Sequence, residues 1–106
     1  KGFLMKTGVK NKMRSIHPGE ILREEFLLPL DMSVNALARN LHVPSTRLHE
    51  IVKERRSITA DTAMRLARYF GGDAQSWMNL QTSYDLRLVD VEKGRVIEKE
   101  VDPRAA

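Results

Sequence analysis

LARNLHVPSTRLHEIVKERRSITADTAMRLARYF, residues 37–70, reads as two short helices joined by a tight turn, then a basic loop and a third helix. Ala38, Leu41 and Val43, with Leu48 and Ile51, fall where two short helices meet across a turn. Pro44 starts the second of these helices, whose apolar positions Leu48, Ile51 and Val52 recur at steps of three and four. His42 sits at the corner, where the chain needs a positive φ; glycine is the common answer there, and His is among the tolerated substitutes. Between Pro44 and Arg56 the outward positions are short polar or cationic groups, namely Ser45, Thr46, Arg47, His49, Lys53, Arg55 and Arg56.

Upstream, Pro18 suits the first turn of a helix and Glu20 its positive end. Ile21, Leu22, Phe26 and Leu28 form an apolar stripe opposite Arg23, Glu24 and Glu25, which predicts helix one over residues 18–28. Pro29 should push Leu28 away from helical angles, and Asp31 follows as a turn residue. Ser33 is the expected N-cap of helix two, residues 34–41. Downstream, Thr59 caps helix four, whose inner stripe is Ala63, Leu66, Ala67 and Phe70 and which Gly71-Gly72 ends. Asp73 caps helix five, where Trp77, Leu80, Tyr84 and Leu88 recur at steps of three and four, with Trp77 a core anchor. From about Asp90 the pattern decays into alternating charge and valine or isoleucine, the mark of a short strand or of a tail that folds on binding. The predicted organisation is a basic N-terminal extension over 1–15, an all-α helix-turn-helix domain over 16–90 with its motif at about 33–53, and a C-terminal tail over 91–106.

The formal charge of +4 is unevenly spread. Residues 1–14 hold five cations and no acid, so the other 92 residues sum to 13 minus 14, or −1. Within them, residues 39–68 hold seven Arg or Lys against three acids, a local +4. A local basic face of that kind is the electrostatic footprint of a nucleic-acid binder. There are no cysteines, which removes disulfides and thiolate metal sites and fits a reducing, cytoplasmic setting. No apolar run approaches the roughly 18 residues of a membrane span, and the opening KGFLMKTGVKNKM has too short an apolar patch for a secretory signal.

An α-helix fits the major groove of B-DNA, and the first turns of the second motif helix meet base edges. The candidate base-reading residues are therefore Ser45, Thr46 and Arg47, with His49 and Glu50 one turn on. Arg47 is the first choice, because arginine holds guanine O6 and N7 with two hydrogen bonds. Lys53, Arg55 and Arg56 follow the helix, where a loop lies along the sugar-phosphate backbone and adds affinity with little sequence information. The first amides of helix two, at Ser33 and Val34, offer a further phosphate contact. Taken singly each cation is an ordinary solvated group; their common frame carries the reading. His17, His42 and His49 show no HExxH and no acid-rich cluster at ligand spacing, and no glycine loop cradles phosphate. The expectation is a protein that is not an enzyme, with no metal, no cofactor and no small-molecule substrate.

On these residues the chain resembles the lambda-repressor-like, or XRE, helix-turn-helix family, and within it the HigA/VapI antitoxins. The resemblance lies in IHPGEILREEFLLPL at 16–30, RLHEIVKERRSITADTAMRLARYFG at 47–71 and WMNLQTSYDL at 77–86. It implies a five-helix fold, a homodimer that represses its own operon at a palindromic double-stranded operator, and neutralisation of a RelE/HigB-like toxin that cuts messenger RNA on the ribosome. The alternative is a stand-alone XRE-family repressor, for example of phage origin, with no toxin. Arg47, Ser45 and Thr46 match the family's base-facing positions, and Arg55 and Arg56 its basic pair. The chain departs at two points: His42 replaces the usual corner glycine, and Lys53-Glu54 the usual Asn-Gly, which implies a longer or differently bent exit from helix three. Dimer pairing in this fold commonly uses the last helices, so Trp77, Leu80, Tyr84, Leu86 and Leu88 are the candidate self-contact. The toxin site is either the terminal tail or a face of helix one.

Overall fold

The computed structural model describes residues 14–105, so most of the expected basic extension, residues 1–13, lies outside the described residues. Among the described residues there are five helices and no strand: α1 over residues 18–30, α2 Val34–Leu41, α3 Ser45–Val52, α4 Ala60–Phe70 and α5 Ala74–Glu100. The all-α, five-helix expectation holds. Leu22, Leu37, Leu48, Ile51 and Leu66 are fully buried, so α1 to α4 each send a side chain to one core. Phe26 of α1 extends that core toward the C-terminal helices, with its ring centroid 4.8 Å from Phe70 and 5.3 Å from Trp77.

Side chains cap the helix starts where the sequence puts cap residues. Ser33 accepts from the Ala36 amide at 3.0 Å and Asp73 from the Ser76 amide at 2.7 Å, while Thr59 caps α4. Each such bond satisfies one of the amide groups that a helix start leaves without an intrahelical partner. The cap of α1 is His17, whose Nδ1 accepts from the Gly19 amide at 2.8 Å. Gly19 is needed for a steric reason: an added Cβ would stand 1.8 Å from the Ile51 carbonyl oxygen, so only glycine lets α1 approach α3.

Three helix ends close in the same way. His42, with φ 59°, takes the left-handed position after α2, and the Val43 and His42 amides donate back to the Ala38 and Arg39 carbonyls. Asp31 closes α1 and Glu54 closes α3 with the same pair of bonds. The positive φ expected at His42 is therefore present. Of the longer or differently bent exit expected from helix three, the lengthening is absent: the exit is tight, because Glu54 itself adopts the left-handed backbone at φ 64°.

Two boundaries differ from the sequence expectation. Helix one runs through Pro29 to residue 30, and Leu28 keeps helical angles of φ −63° and ψ −50°. The cause is a π-helical stretch, Leu22–Leu27, in which the Leu28 amide bonds to the Arg23 carbonyl five residues back. The widened turn relieves the clash that a proline ring makes with the carbonyl four residues back in an α-helix. At the other end, the strand or unfolded tail expected from about Asp90 is helix as far as Glu100. Lys, Arg and Glu are good helix formers, Asp90/Lys93 and Glu92/Arg95 are spaced to face each other, and the first strong breaker is Pro103.

Candidate nucleic-acid interface

At 3.6 residues per turn, burying Leu48, Ile51 and Val52 turns Thr46 and Glu50 to the opposite side of α3, with residues 47 and 49 on its two flanks. The side chains follow that geometry. Ser45, Thr46 and Glu50 are exposed, whereas Arg47 and His49 are half-buried and tied sideways. His49 Nε2 lies 3.0 Å from Asn35 Oδ1 of α2. On the other flank Arg47 Nη1 donates to Asp61 Oδ2 at 3.2 Å and reaches Thr62 Oγ1 at 3.5 Å.

Asp61 is shared. Its Oδ2 also accepts from Arg65 Nε at 3.0 Å, and the bonds from Arg65 and then Arg47 hold its carboxyl below the usual carboxylate range. Arg65 Nη1 in turn donates to the Leu41 carbonyl at 2.9 Å, at the end of α2. Arg23 does the same for α3, donating to the Val52 carbonyl and reaching Glu54 Oε2 at 3.4 Å. Each motif helix thus has a guanidinium from outside the motif at its C-terminal carbonyls, where the helix dipole is negative. These ties hold the end of α2 to α4 and the end of α3 to α1.

The predicted base-reading set consequently splits. Ser45, Thr46 and Glu50 form the exposed strip, His49 braces α2, and Arg47 lies along the strip's edge at 28% side-chain exposure with one nitrogen committed to Asp61. The predicted backbone-contacting cations sit together in the loop after α3. Lys53 and Arg55 are exposed and make no side-chain bond among the described residues, and Arg56 stands 3.7 Å from Glu50. Ser33 and Val34 open α2, where the Ser33 hydroxyl is spent on its cap and Val34 packs against the core, leaving first-turn backbone amides as the exposed donors.

The expected self-contact needs correction at one residue. Trp77 is buried in its own chain's core against Phe26 and is not available to a second copy. Leu80 packs against the same core, and the Tyr84 ring stands edge-on to His17 at 4.9 Å. Leu86 and Leu88 are exposed, and Val89, Val91, Val96 and Ile97 continue the exposed apolar series along α5. Sequence reasoning weighed His17 only as a metal ligand and passed over Gly19 and Gln81, although each of the three fixes the spacing between elements. His17 Nδ1 must be unprotonated to accept its cap bond, and burial pushes the imidazole below its ordinary pKa. Among the described residues no group of acids or histidines is placed to hold a metal, and no helix is long and apolar enough to cross a membrane.

The helix-turn-helix family model matches residues 22–77. Virulence-associated protein I of Dichelobacter nodosus is 63% identical over 84 residues, covering 79% of this chain and 78% of that protein. Antitoxin HigA-1 of Vibrio cholerae is 32% identical over 77 residues, 73% of this chain and 72% of the relative. Among solved structures, Pseudomonas aeruginosa antitoxin HigA with the higBA promoter superposes with a TM-score of 0.83 at 51% identity, over 87% of this chain and 100% of that one. The chain belongs to the XRE-type helix-turn-helix family and, within it, to the HigA/VapI antitoxins, which are DNA-binding regulators and not enzymes.

Proposed function

We propose that this protein is a sequence-specific DNA-binding antitoxin of the cytoplasm, which represses its own operon as a homodimer and neutralises a RelE-like, mRNA-cleaving toxin. The observation that carries the DNA reading is the exposed strip of Ser45, Thr46 and Glu50 on α3, braced on both flanks and followed at once by the exposed Lys53 and Arg55. With α3 in the major groove, the Thr46 methyl suits a thymine methyl and Glu50 accepts from a cytosine amino group. Arg47 keeps its Nε and Nη2 edge unbonded among the described residues, the edge a guanine would take. Lys53, Arg55 and Arg56, with the first amides of α2, supply the phosphate contacts.

The exposed apolar residues on the second half of α5 support a self-contact, and a two-fold dimer of such domains reads half-sites about 34 Å apart, one turn of B-DNA. The toxin assignment rests on membership of the antitoxin group. A gel shift with the promoter region of its own gene tests the DNA reading. Binding should weaken steeply between about 50 and 200 mM salt, and Arg55→Ala should weaken promoter and scrambled duplex alike. Co-expression with the product of the neighbouring reading frame tests the toxin reading: growth restored by this chain supports it. A neighbour without toxicity leaves the stand-alone repressor.

A further inference from the structure

Three polar side chains are buried among the described residues: His17, Thr62 and Gln81. Thr62 belongs to the first turn of α4, within reach of Arg47 and Thr59. The other two converge on the segment 53–59 that joins α3 to α4 and carries Lys53, Arg55 and Arg56. Gln81, on α5 and 3% exposed, accepts the Ile58 backbone amide on its Oε1 at 2.7 Å and donates from Nε2 to Asp85 Oδ1 at 2.9 Å. Ile58 is itself in the core, so this bond stands at the point where the loop dips inward. His17 packs on Tyr84, one turn along α5 from Gln81, and the Arg56 backbone is among the groups that act on its imidazole.

The loop is thus fixed at both ends. At its start, Glu54 adopts the left-handed turn and meets Arg23; near its finish, a buried glutamine holds the Ile58 amide. A buried amide deprived of its acceptor is strongly disfavoured, so without Gln81 the loop would move until the Ile58 amide found water. That movement would carry the neighbouring Arg55 and Arg56 with it.

We propose that Gln81 is a positioning residue for DNA binding: from inside α5 it holds the 53–59 loop at the height where Arg55 and Arg56 meet the phosphate backbone while α3 occupies the groove. The proposal rests on the DNA-binding reading above. It gives α5 a role in recognition although that helix lies behind the motif, and it explains why the amide is oriented by Asp85 at a second bond.

The test uses the full chain and a duplex of its own promoter region, with affinity measured across a salt series. Gln81→Leu should reduce the slope of log affinity against log salt by about 0.9 for each phosphate that the displaced loop no longer neutralises, on promoter and scrambled duplex alike. Arg55→Ala added to it should then change little. The exchange of Gln81→Glu with Asp85→Asn leaves net charge unaltered and restores both bonds, the carboxylate accepting from Ile58 and from the new amide, so it should recover the wild-type slope. A purely structural role would lower the melting temperature and leave the slope of the folded protein unmoved. If Gln81→Leu melts below the assay temperature, Gln81→Asn, which withdraws the acceptor by one methylene, replaces it with the same expected outcome. A wild-type slope retained in the folded variant, with Arg55→Ala fully additive, overturns the assignment of Gln81 alone. A wild-type protein with no salt-dependent binding to any duplex overturns the DNA reading and this proposal with it.

Discussion

The two halves of α5 share one unbroken helix but are held by different forces. Over residues 74–84 the helix presents Trp77 and Gln81 to the interior, with Leu80 and Tyr84 packed at the margin. Over residues 86–100 nothing is buried, and Leu86 at 67%, Val91 at 70% and Val96 at 50% exposure face outward. The first half is a core element. The second is held by backbone propensity and charge spacing, and its apolar residues gain only from what covers them. In the proposed dimer, a helix of this kind joins a rigid domain to a surface that association would complete.

The largest expected effect separates the halves by stability. Trp77→Ala should cost about 3–5 kcal/mol in denaturant unfolding, whereas Leu86→Ala in dilute protein should stay within about 0.5 kcal/mol. Equal losses at low concentration would mean that the second half is also part of the monomer's core. Next in size is association. Leu86→Asp combined with Val89→Asp should raise the dimer dissociation constant at least about tenfold, near 1.4 kcal/mol, in sedimentation equilibrium. An unchanged constant would move the self-contact off α5.

A pH series sharpens the contrast further, because His17 stands against Tyr84 at the last contact of the buried half. Its folded pKa lies below the ordinary histidine value through burial, so the unfolded chain binds the extra proton first as pH falls. The contribution is therefore fully present above about pH 6.5, the ordinary histidine value, and is lost as pH falls toward the folded pKa, at no more than about 1.4 kcal/mol per pH unit for one proton. His17→Gln should remove this component from denaturation curves taken between about pH 5 and 8. A wild-type curve with no loss of stability on acidification would contradict the buried neutral imidazole. The smallest effect is Gly94→Ala, which should add about 1 kcal/mol of helix propensity to the second half and raise far-UV helicity without shifting the domain's melt. The near contact that its Cβ would make is with the end of the Asp90 side chain, which can swing away.

What was legible in the sequence followed from local rules. The left-handed corner at His42, the caps at Ser33, Thr59 and Asp73, and the inward Leu48, Ile51 and Leu66 each need only near neighbours and a helical period to be placed. What was missed depends on partners far away in the chain. Gly19 is set by the Ile51 carbonyl, Gln81 by the Ile58 amide, and the sideways turn of Arg47 by Asp61, all of them tertiary neighbours that no periodicity reveals. The helical second half of α5 was obscured for another reason: alternation of valine with charge looks like a strand until propensity and the position of Pro103 are weighed over the whole segment.

In the proposed DNA complex, α3 reads bases along a narrow braced strip while the following loop supplies unspecific affinity. Fluorescence anisotropy separates these two roles when wild type and Arg47→Ala are compared on the protein's own promoter duplex and on a scrambled duplex at one salt concentration. Arg47→Ala is expected to lose about 1–3 kcal/mol on the promoter and little on the scrambled sequence. An equal loss on both duplexes would contradict that division and return Arg47 to the phosphate backbone.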